Sequence, residues 1–327
     1  MSRSLNMIHK NKTSILHRLD PNMRWFANEL VDFGNEIRGT ALSWAEIRVK
    51  FASTAAAWNT PKPELPRVAN ALADGAFGPT GIRIYDPVGD GVQRPALIYF
   101  HGGGWVLGNL DTNDSYLRYL AHESGTPIVS VDYCLAPENK FPRPLEDCLA
   151  VIKWLRANAQ DVGIHAERFA LGGDSAGANL ALACALDPAL DDALAFCLLL
   201  FGVYGADIDT RSREKHAYEE IGQPPATGDA VWNNYLSLAN ERTDPRAAPL
   251  LGDFSGLPAI LIQAAEFDVF RHDSRLLKDA LDEAGVACKY VEYPNTIHGF
   301  AALAGMHEQA LHAIKDAAKE LREVFEG

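Results

Sequence analysis

The sequence predicts an α/β protein with a mostly parallel central sheet flanked by helices. Three observations lead there. From Ile82 onward, short apolar runs alternate with longer helical stretches, a spacing that requires crossover connections between parallel strands. A Gly-x-Ser-x-Gly turn, Gly173 to Gly177, stands between one apolar run and an Ala/Leu-rich helix. Three other runs end in a triple glycine, an acidic loop and a histidine, the kinds of residue that carry chemistry at a sheet edge.

Taken in order, residues 1–67 are helical in flavour and close on the Pro-rich segment Pro61-Lys-Pro-Glu-Leu-Pro66. Within them, Arg24–Phe33 has apolar residues at 26, 30 and 33, adjoined by Trp25 and Val31. Such a stripe must bury a face against something. Predicted strands then follow at Ile82–Tyr85, Ala96–Phe100, Ile128–Val131, Phe169–Leu171, Ala195–Phe201, Ala259–Gln263 and Lys289–Tyr293. Helices are predicted near Asn113–Glu123, Leu145–Ala159, Ala176–Ala185, Ser274–Ala284 and Glu308–Phe325. Residues 204–238 break the alternation, being polar, charged and interrupted by Pro224-Pro225. The expected organisation is therefore N-terminal cap helices over 1–67 and a sheet-bearing domain over 68–327, with 204–238 as a cap insert. The cap would sit over the C-terminal edge of the sheet, where ligands bind in open α/β folds.

Bulk properties narrow the classes. The 327 residues are 47% apolar, enough for a large core, and the net charge is −13, from 43 acidic and 30 basic residues. That balance argues against a nucleic-acid partner, which needs a basic surface. The five cysteines, Cys134, Cys148, Cys184, Cys197 and Cys288, form no C-x-x-C pair, and their odd count fits packed, reduced thiols. Basic residues break up Met1–Leu19, which lacks the apolar core of a signal peptide. The longest apolar run, Ala193–Val203, is too short to span a bilayer. A cytoplasmic protein without stable membrane insertion is expected.

The chemistry sits in four places. Phe169-Ala-Leu-Gly-Gly-Asp-Ser-Ala-Gly177 reads as strand, tight turn and helix, with Ser175 as a nucleophile on the turn. Ala96-Leu-Ile-Tyr-Phe-His-Gly-Gly-Gly-Trp105 ends a strand in three glycines, whose N–H groups can approach a substrate oxygen unobstructed. Gly103 and Gly104, with the N–H of Ala176 at the following helix start, are the expected oxyanion donors. His101 is expected to hold that loop rather than to act as base. Asp268 ends a late strand and His298 follows the last one, so the order Ser175, Asp268, His298 is that of α/β-hydrolases. Glu266 is the competing acid in the same loop. No His/Cys/carboxylate spacing suits zinc.

With these elements assembled, the sequence resembles the bacterial hormone-sensitive-lipase-like esterases. The motifs that carry the resemblance are His101-Gly-Gly-Gly-Trp105, Asp132-Tyr-Cys-Leu-Ala-Pro-Glu138, Phe141-Pro-Arg-Pro-Leu-Glu-Asp147, Gly173-Asp-Ser-Ala-Gly177, Glu266-Phe-Asp268 and His298-Gly-Phe300. The resemblance implies an α/β-hydrolase fold with a helical cap, hydrolysis of short- to medium-chain carboxylesters, a small-molecule ester substrate and no cofactor. A homodimer is left open, as are an amidase, lactonase or deacetylase with the same triad. An inactive ligand-binding receptor of this fold fits less well, since Ser175, Asp268 and His298 are all retained. Two positions depart from the family pattern. Cys134 stands where Arg is usual, removing an ion-pairing group, and Ala178 replaces a second glycine after Gly177.

Overall fold

The computed structural model describes residues 14–190, 193–206, 215–216, 218–223 and 227–326. The Pro224-Pro225 break and much of Met1–Leu19 lie outside these residues. Eight strands form one sheet: β1 (Arg67–Gly75), β2 (Gly78–Asp86), β3 (Arg94–Phe100), β4 (Ile128–Asp132), β5 (Ile164–Asp174), β6 (Leu194–Leu200), β7 (Ala259–Phe267) and β8 (Cys288–Ile297). Their order across the sheet is β1-β2-β4-β3-β5-β6-β7-β8. Pairings from β4 through β8 are parallel, whereas β1–β2 and β2–β4 are antiparallel.

The helices are α1 (Pro21–Ile37), α2 (Trp44–Ala55), α3 (Asp114–Ser124), α4 (Arg143–Ala157), α5 (Ala159–Val162), α6 (Ala176–Ala185), α7 (Thr227–Tyr235), α8 (Arg271–Glu283) and α9 (Glu308–Glu326). Continuous apolar runs such as Ala96–Phe100 and Phe196–Leu200 form central strands because helices cover both faces of the sheet. Alternation within each strand divides the core. Ile98, Phe100, Leu171, Cys197 and Leu199 pack with α4 and α6, while Leu97, Tyr99, Ala170, Leu198 and Leu200 pack with α1, α3 and α9. The apolar run Ala193–Val203 is largely the interior strand β6. Among the described residues, no helix is long and apolar enough to cross a membrane.

All seven predicted strands and the five predicted helices are present, with ends shifted by a few residues. The sequence gives little sign of β1. It is the outermost strand, joined to β2 through Ala76-Phe77, and Leu72 is 67% exposed. An edge strand with solvent on much of its surface has no alternating apolar signature to read.

The N-terminal helices are locally well specified. Asp20 caps α1 through the N–H groups of Asn22 and Met23, with Pro21 at the first position. Ser43 and Glu46 form a reciprocal capping box at α2. The predicted stripe of α1 is buried at Phe26 and Phe33; Phe26 joins the core shared with α3 and α9, and Phe33 meets Phe51 of α2. Asp20 also pairs with the buried His307 at 2.5 Å, and Asn22 donates to the Met306 carbonyl. The remaining polar segment lies between β6 and β7. There α7 sets Trp232 and Tyr235 against Trp105, with Tyr235 stacked at 4.1 Å.

Candidate active site

Every candidate group follows the C-terminal end of a strand: the Gly102–Gly104 turn after β3, Ser175 after β5, Asp268 after β7 and His298 after β8. The sheet's pleat and register deliver them to one edge.

The turn at Ser175 is tight. Its backbone has φ 53° and ψ −117°, a strained region for a residue with a Cβ, and its N–H donates to the Leu200 carbonyl. The two flanking glycines are sterically required. A Cβ at Gly177 would collide with the Phe100 carbonyl oxygen, and one at Gly173 with the Gly177 backbone. Helix α6 starts at once, so Ala176 occupies its first turn, where N–H groups lack intrahelical acceptors. Ala178, the second departure from the family pattern, is fully buried within α6.

Ser175 Oγ lies 2.8 Å from His298 Nε2, and His298 Nδ1 lies 2.8 Å from Asp268 Oδ2. Asp268 is fully buried, and its other oxygen accepts the Phe270 N–H at 2.8 Å. Burial opposes the charged form of His298, but the Asp268 carboxylate, through its charge and hydrogen bond and with Asp174 behind, outweighs it. The histidine pKa is raised above its ordinary value. Phe201 and Phe270 flank the imidazole edge-on, at 5.1 and 5.4 Å between ring centres. Glu266 points elsewhere, accepting from Arg18 at 2.7 Å and from the Asn295 N–H at 2.8 Å.

The glycine turn is shaped by left-handed backbone at Gly103 (φ 117°), Gly104 (φ 60°) and Trp105 (φ 62°). The N–H of Gly102 is taken up by Asp174 Oδ1 at 2.9 Å. Among the described residues, no acceptor engages the N–H groups of Gly103 and Gly104. Asp174 also accepts from the Tyr99 hydroxyl and from Asn113 Nδ2. Burial raises its pKa, and those donors and His101 act against the rise. His101 braces the loop: its ring sits 2.8 Å from the Gly102 carbonyl through Nδ1 and stacks on Tyr133, whose hydroxyl donates to the His101 carbonyl.

These groups open onto a cavity of about 250 Å3. Its wall includes Gly103, Gly104, Ser175 and His298 together with Phe26, Leu30, Phe51 and Trp58. Phe26 meets Trp58 edge-on at 5.0 Å. The sequence reading missed Asp174, Phe201, Phe270 and the Tyr99–Asn113 pair. Phe201 had a legible signal, since it ends the predicted strand Ala195–Phe201, whereas Phe270 lies well beyond the predicted strand Ala259–Gln263 and had none. The five cysteines are all free, and burial together with Asp147 pushes the Cys134 thiol up to about 12, far from a reactive thiolate.

The fold and the hydrogen-bonded Ser–His–Asp chain define a serine hydrolase of α/β-hydrolase architecture. A family model described as the alpha/beta hydrolase fold matches residues 97–302. An acetyl esterase of Salmonella paratyphi B is 33% identical over 269 residues, covering 80% of this chain and 81% of that protein. A hyperthermophilic esterase from the archaeon Pyrobaculum calidifontis superposes with a TM-score of 0.86 at 30% identity, covering 93% of this chain and 98% of that one. An ester-hydrolase from the metagenome of Lake Arreo, complexed with a bipyridine phosphonate derivative, gives a TM-score of 0.85 at 35% identity, covering 94% and 100%. The chain belongs to the alpha/beta hydrolase fold family, in its hormone-sensitive-lipase-like branch, and is a serine carboxylester hydrolase.

Proposed function

We propose that Ser175, His298 and Asp268 carry out acyl transfer from short- to medium-chain carboxylesters. The observation that supports this most is the hydrogen-bonded chain Ser175–His298–Asp268, two bonds of 2.8 Å, at the floor of an apolar cavity. In this reading His298 Nε2 takes the Ser175 proton as Oγ attacks the acyl carbonyl. Asp268 holds the proton on Nδ1 and stabilises the imidazolium. The tetrahedral oxyanion is received by the N–H groups of Gly103, Gly104 and Ala176. His298 then protonates the leaving alcohol, and after it departs the same nitrogen deprotonates the water that releases the acid.

The described parts of residues 1–67 and 204–238 act as a cap over this chemistry. Support comes from Phe26, Leu30, Phe51, Trp58 and Val231 of α7, which all line the cavity. The cavity falls just below the range of drug-sized sites, roughly 300–1,000 Å3, which favours compact acyl groups. The acetyl esterase relatives point the same way.

An alkyl phosphonate ester tests the assignment. Peptide mass spectrometry is expected to place the phosphonyl adduct on Ser175, and hydrolysis rates for p-nitrophenyl acetate through octanoate are expected to peak below eight carbons. An adduct on another residue would overturn the nucleophile, and rates still rising at octanoate would overturn the preference for compact acyl groups.

A further inference from the structure

Arg48 has no part in the triad, and its bonding is unlike that of a surface arginine. Its Nε donates to the Val106 carbonyl at 2.8 Å and its Nη2 to the Ala136 carbonyl at 2.8 Å. The two terminal nitrogens also grip Glu138 in a two-pronged pair at 2.6 and 3.0 Å. Only a planar fork makes all four bonds at once.

The partners matter more than the number of bonds. Val106 closes the glycine turn: its N–H and that of Leu107 both donate to the Gly103 carbonyl, at 3.1 and 2.9 Å. Ala136 is tied to the same turn through its N–H, which donates to the Trp105 carbonyl at 2.9 Å. Arg48 therefore holds the outer side of a turn whose inner side presents the Gly103 and Gly104 N–H groups. One turn further along α2, Phe51 and then Ala55 line the cavity. The same helix thus touches the glycine turn through Arg48 and encloses the substrate space through Phe51.

We propose that Arg48 is a positioning residue that locks the Gly103–Gly104 turn to the α2 wall of the cavity, setting oxyanion-hole geometry and acyl-group fit together. This rests on the reading of Gly103 and Gly104 as oxyanion donors. The turn needs such a lock because Trp105, which carries a Cβ, holds left-handed backbone directly after the two glycines, a conformation that persists only where the surroundings impose it. The ionic component alone would do little, since Glu138 is half exposed and solvent screens such pairs. The two carbonyl bonds carry the geometry.

The test compares Arg48→Met, Arg48→Lys and wild type in three measurements. Amide hydrogen exchange over 103–107 reads the turn without reference to catalysis, and is expected to speed up in Arg48→Met. Steady-state kinetics with acetyl and hexanoyl p-nitrophenyl esters should show kcat lowered about ten- to a hundred-fold, as small misplacements do elsewhere, with KM changed less and the acetyl-to-hexanoyl ratio shifted. Affinity for an alkyl trifluoromethyl ketone, whose serine adduct puts an oxyanion in the hole, should fall by the same factor as kcat. Arg48→Lys keeps the charge but reaches one carbonyl, and should lie between. If Arg48→Met does not fold, Arg48→Lys decides by the same three readouts. Unchanged exchange over 103–107 in a folded variant would overturn the proposal. If exchange rises while kcat and ketone affinity stay at wild-type values, the turn is not the oxyanion hole and the reading of the site fails instead.

Discussion

Replacing Asp268 by asparagine puts the assignment of the acid to its sharpest test, because the structure dictates which way the amide must lie. Asp268 is fully buried, with one oxygen accepting the Phe270 N–H at 2.8 Å and the other facing His298 Nδ1 at 2.8 Å. In Asp268→Asn the amide oxygen must stay on the Phe270 N–H, since a buried donor facing a donor is costly. The NH2 group then faces Nδ1 and forces that nitrogen to accept. The imidazole proton moves to Nε2, opposite the Ser175 hydroxyl, where no lone pair remains to take the serine proton. A wrong tautomer of this kind lowers kcat about ten-thousand-fold, or about 5.5 kcal/mol of transition-state stabilisation. The pH profile carries a second sign. The Asp268 charge and hydrogen bond raise the His298 pKa. The base works when neutral, so the wild-type acid limb should lie above the ordinary histidine value of about 6.5. Loss of the carboxylate should move residual activity's acid limb to lower pH. The assay is p-nitrophenyl acetate hydrolysis from pH 5 to 9, with melting temperature as a control for folding. The reasoning fails if folded Asp268→Asn keeps a tenth of wild-type kcat, or if Glu266→Gln is the more damaging change.

Four further outcomes are expected. Ser175→Ala should lower kcat by about a million-fold, as in other serine hydrolases, measured as residual ester hydrolysis in a protein with unchanged circular dichroism. Ester hydrolysis should persist after dialysis against EDTA, and a loss restored by added metal would contradict the metal-free mechanism. Phe26→Ala should open the cavity beside Trp58 and raise the ratio of hexanoyl to acetyl kcat/KM about tenfold or more, read from the ester series. Asp20→Ala removes two α1 capping bonds and the His307 pair, and should cost about 1–2 kcal/mol, seen as a lower urea midpoint.

What could be read in the sequence was local in the chain. Gly173–Gly177 is legible as a short motif, and one of its steric demands, Gly173 against the Gly177 backbone, arises within it, whereas Gly177 answers to the Phe100 carbonyl of β3. The α1 stripe was legible for the same reason, as three apolar positions on one helical face. What pairs with such elements was not. Arg48 meets partners 58 and 88 residues away, and Glu266 meets Arg18 across 248 residues. No spacing encodes these contacts. Glu266 and Asp268 illustrate the limit well, being two carboxylates separated by a single residue, Phe267. Only the fold shows that the first accepts from Arg18 and Asn295 while the second is sealed against His298. Asp174 was hidden differently. It occupies the variable position of the Gly-x-Ser-x-Gly turn, and three donors from β3, the glycine turn and the approach to α3 converge on it only in the folded chain.

The anchors of the N-terminal helices fall where the site needs them. Glu266 joins Arg18 to the loop carrying Asp268 and, through the Asn295 N–H, to the segment leading to His298. Arg48 joins α2 to the glycine turn, and Tyr235 of α7 stacks on Trp105 in that turn. These contacts fall at or just past the C-terminal ends of strands, where the ladder stops and backbone groups need partners from elsewhere. Polar and aromatic contacts from the overlying residues meet that need, whereas a purely apolar cover would leave carbonyls such as those of Val106 and Ala136 without donors. The helices that line the cavity through Phe51 and Val231 thereby also carry Arg48 and Tyr235, which fix the glycine turn. Substitutions in this cover should accordingly change acyl preference and turnover together, while equally large substitutions on the β1 edge should change neither.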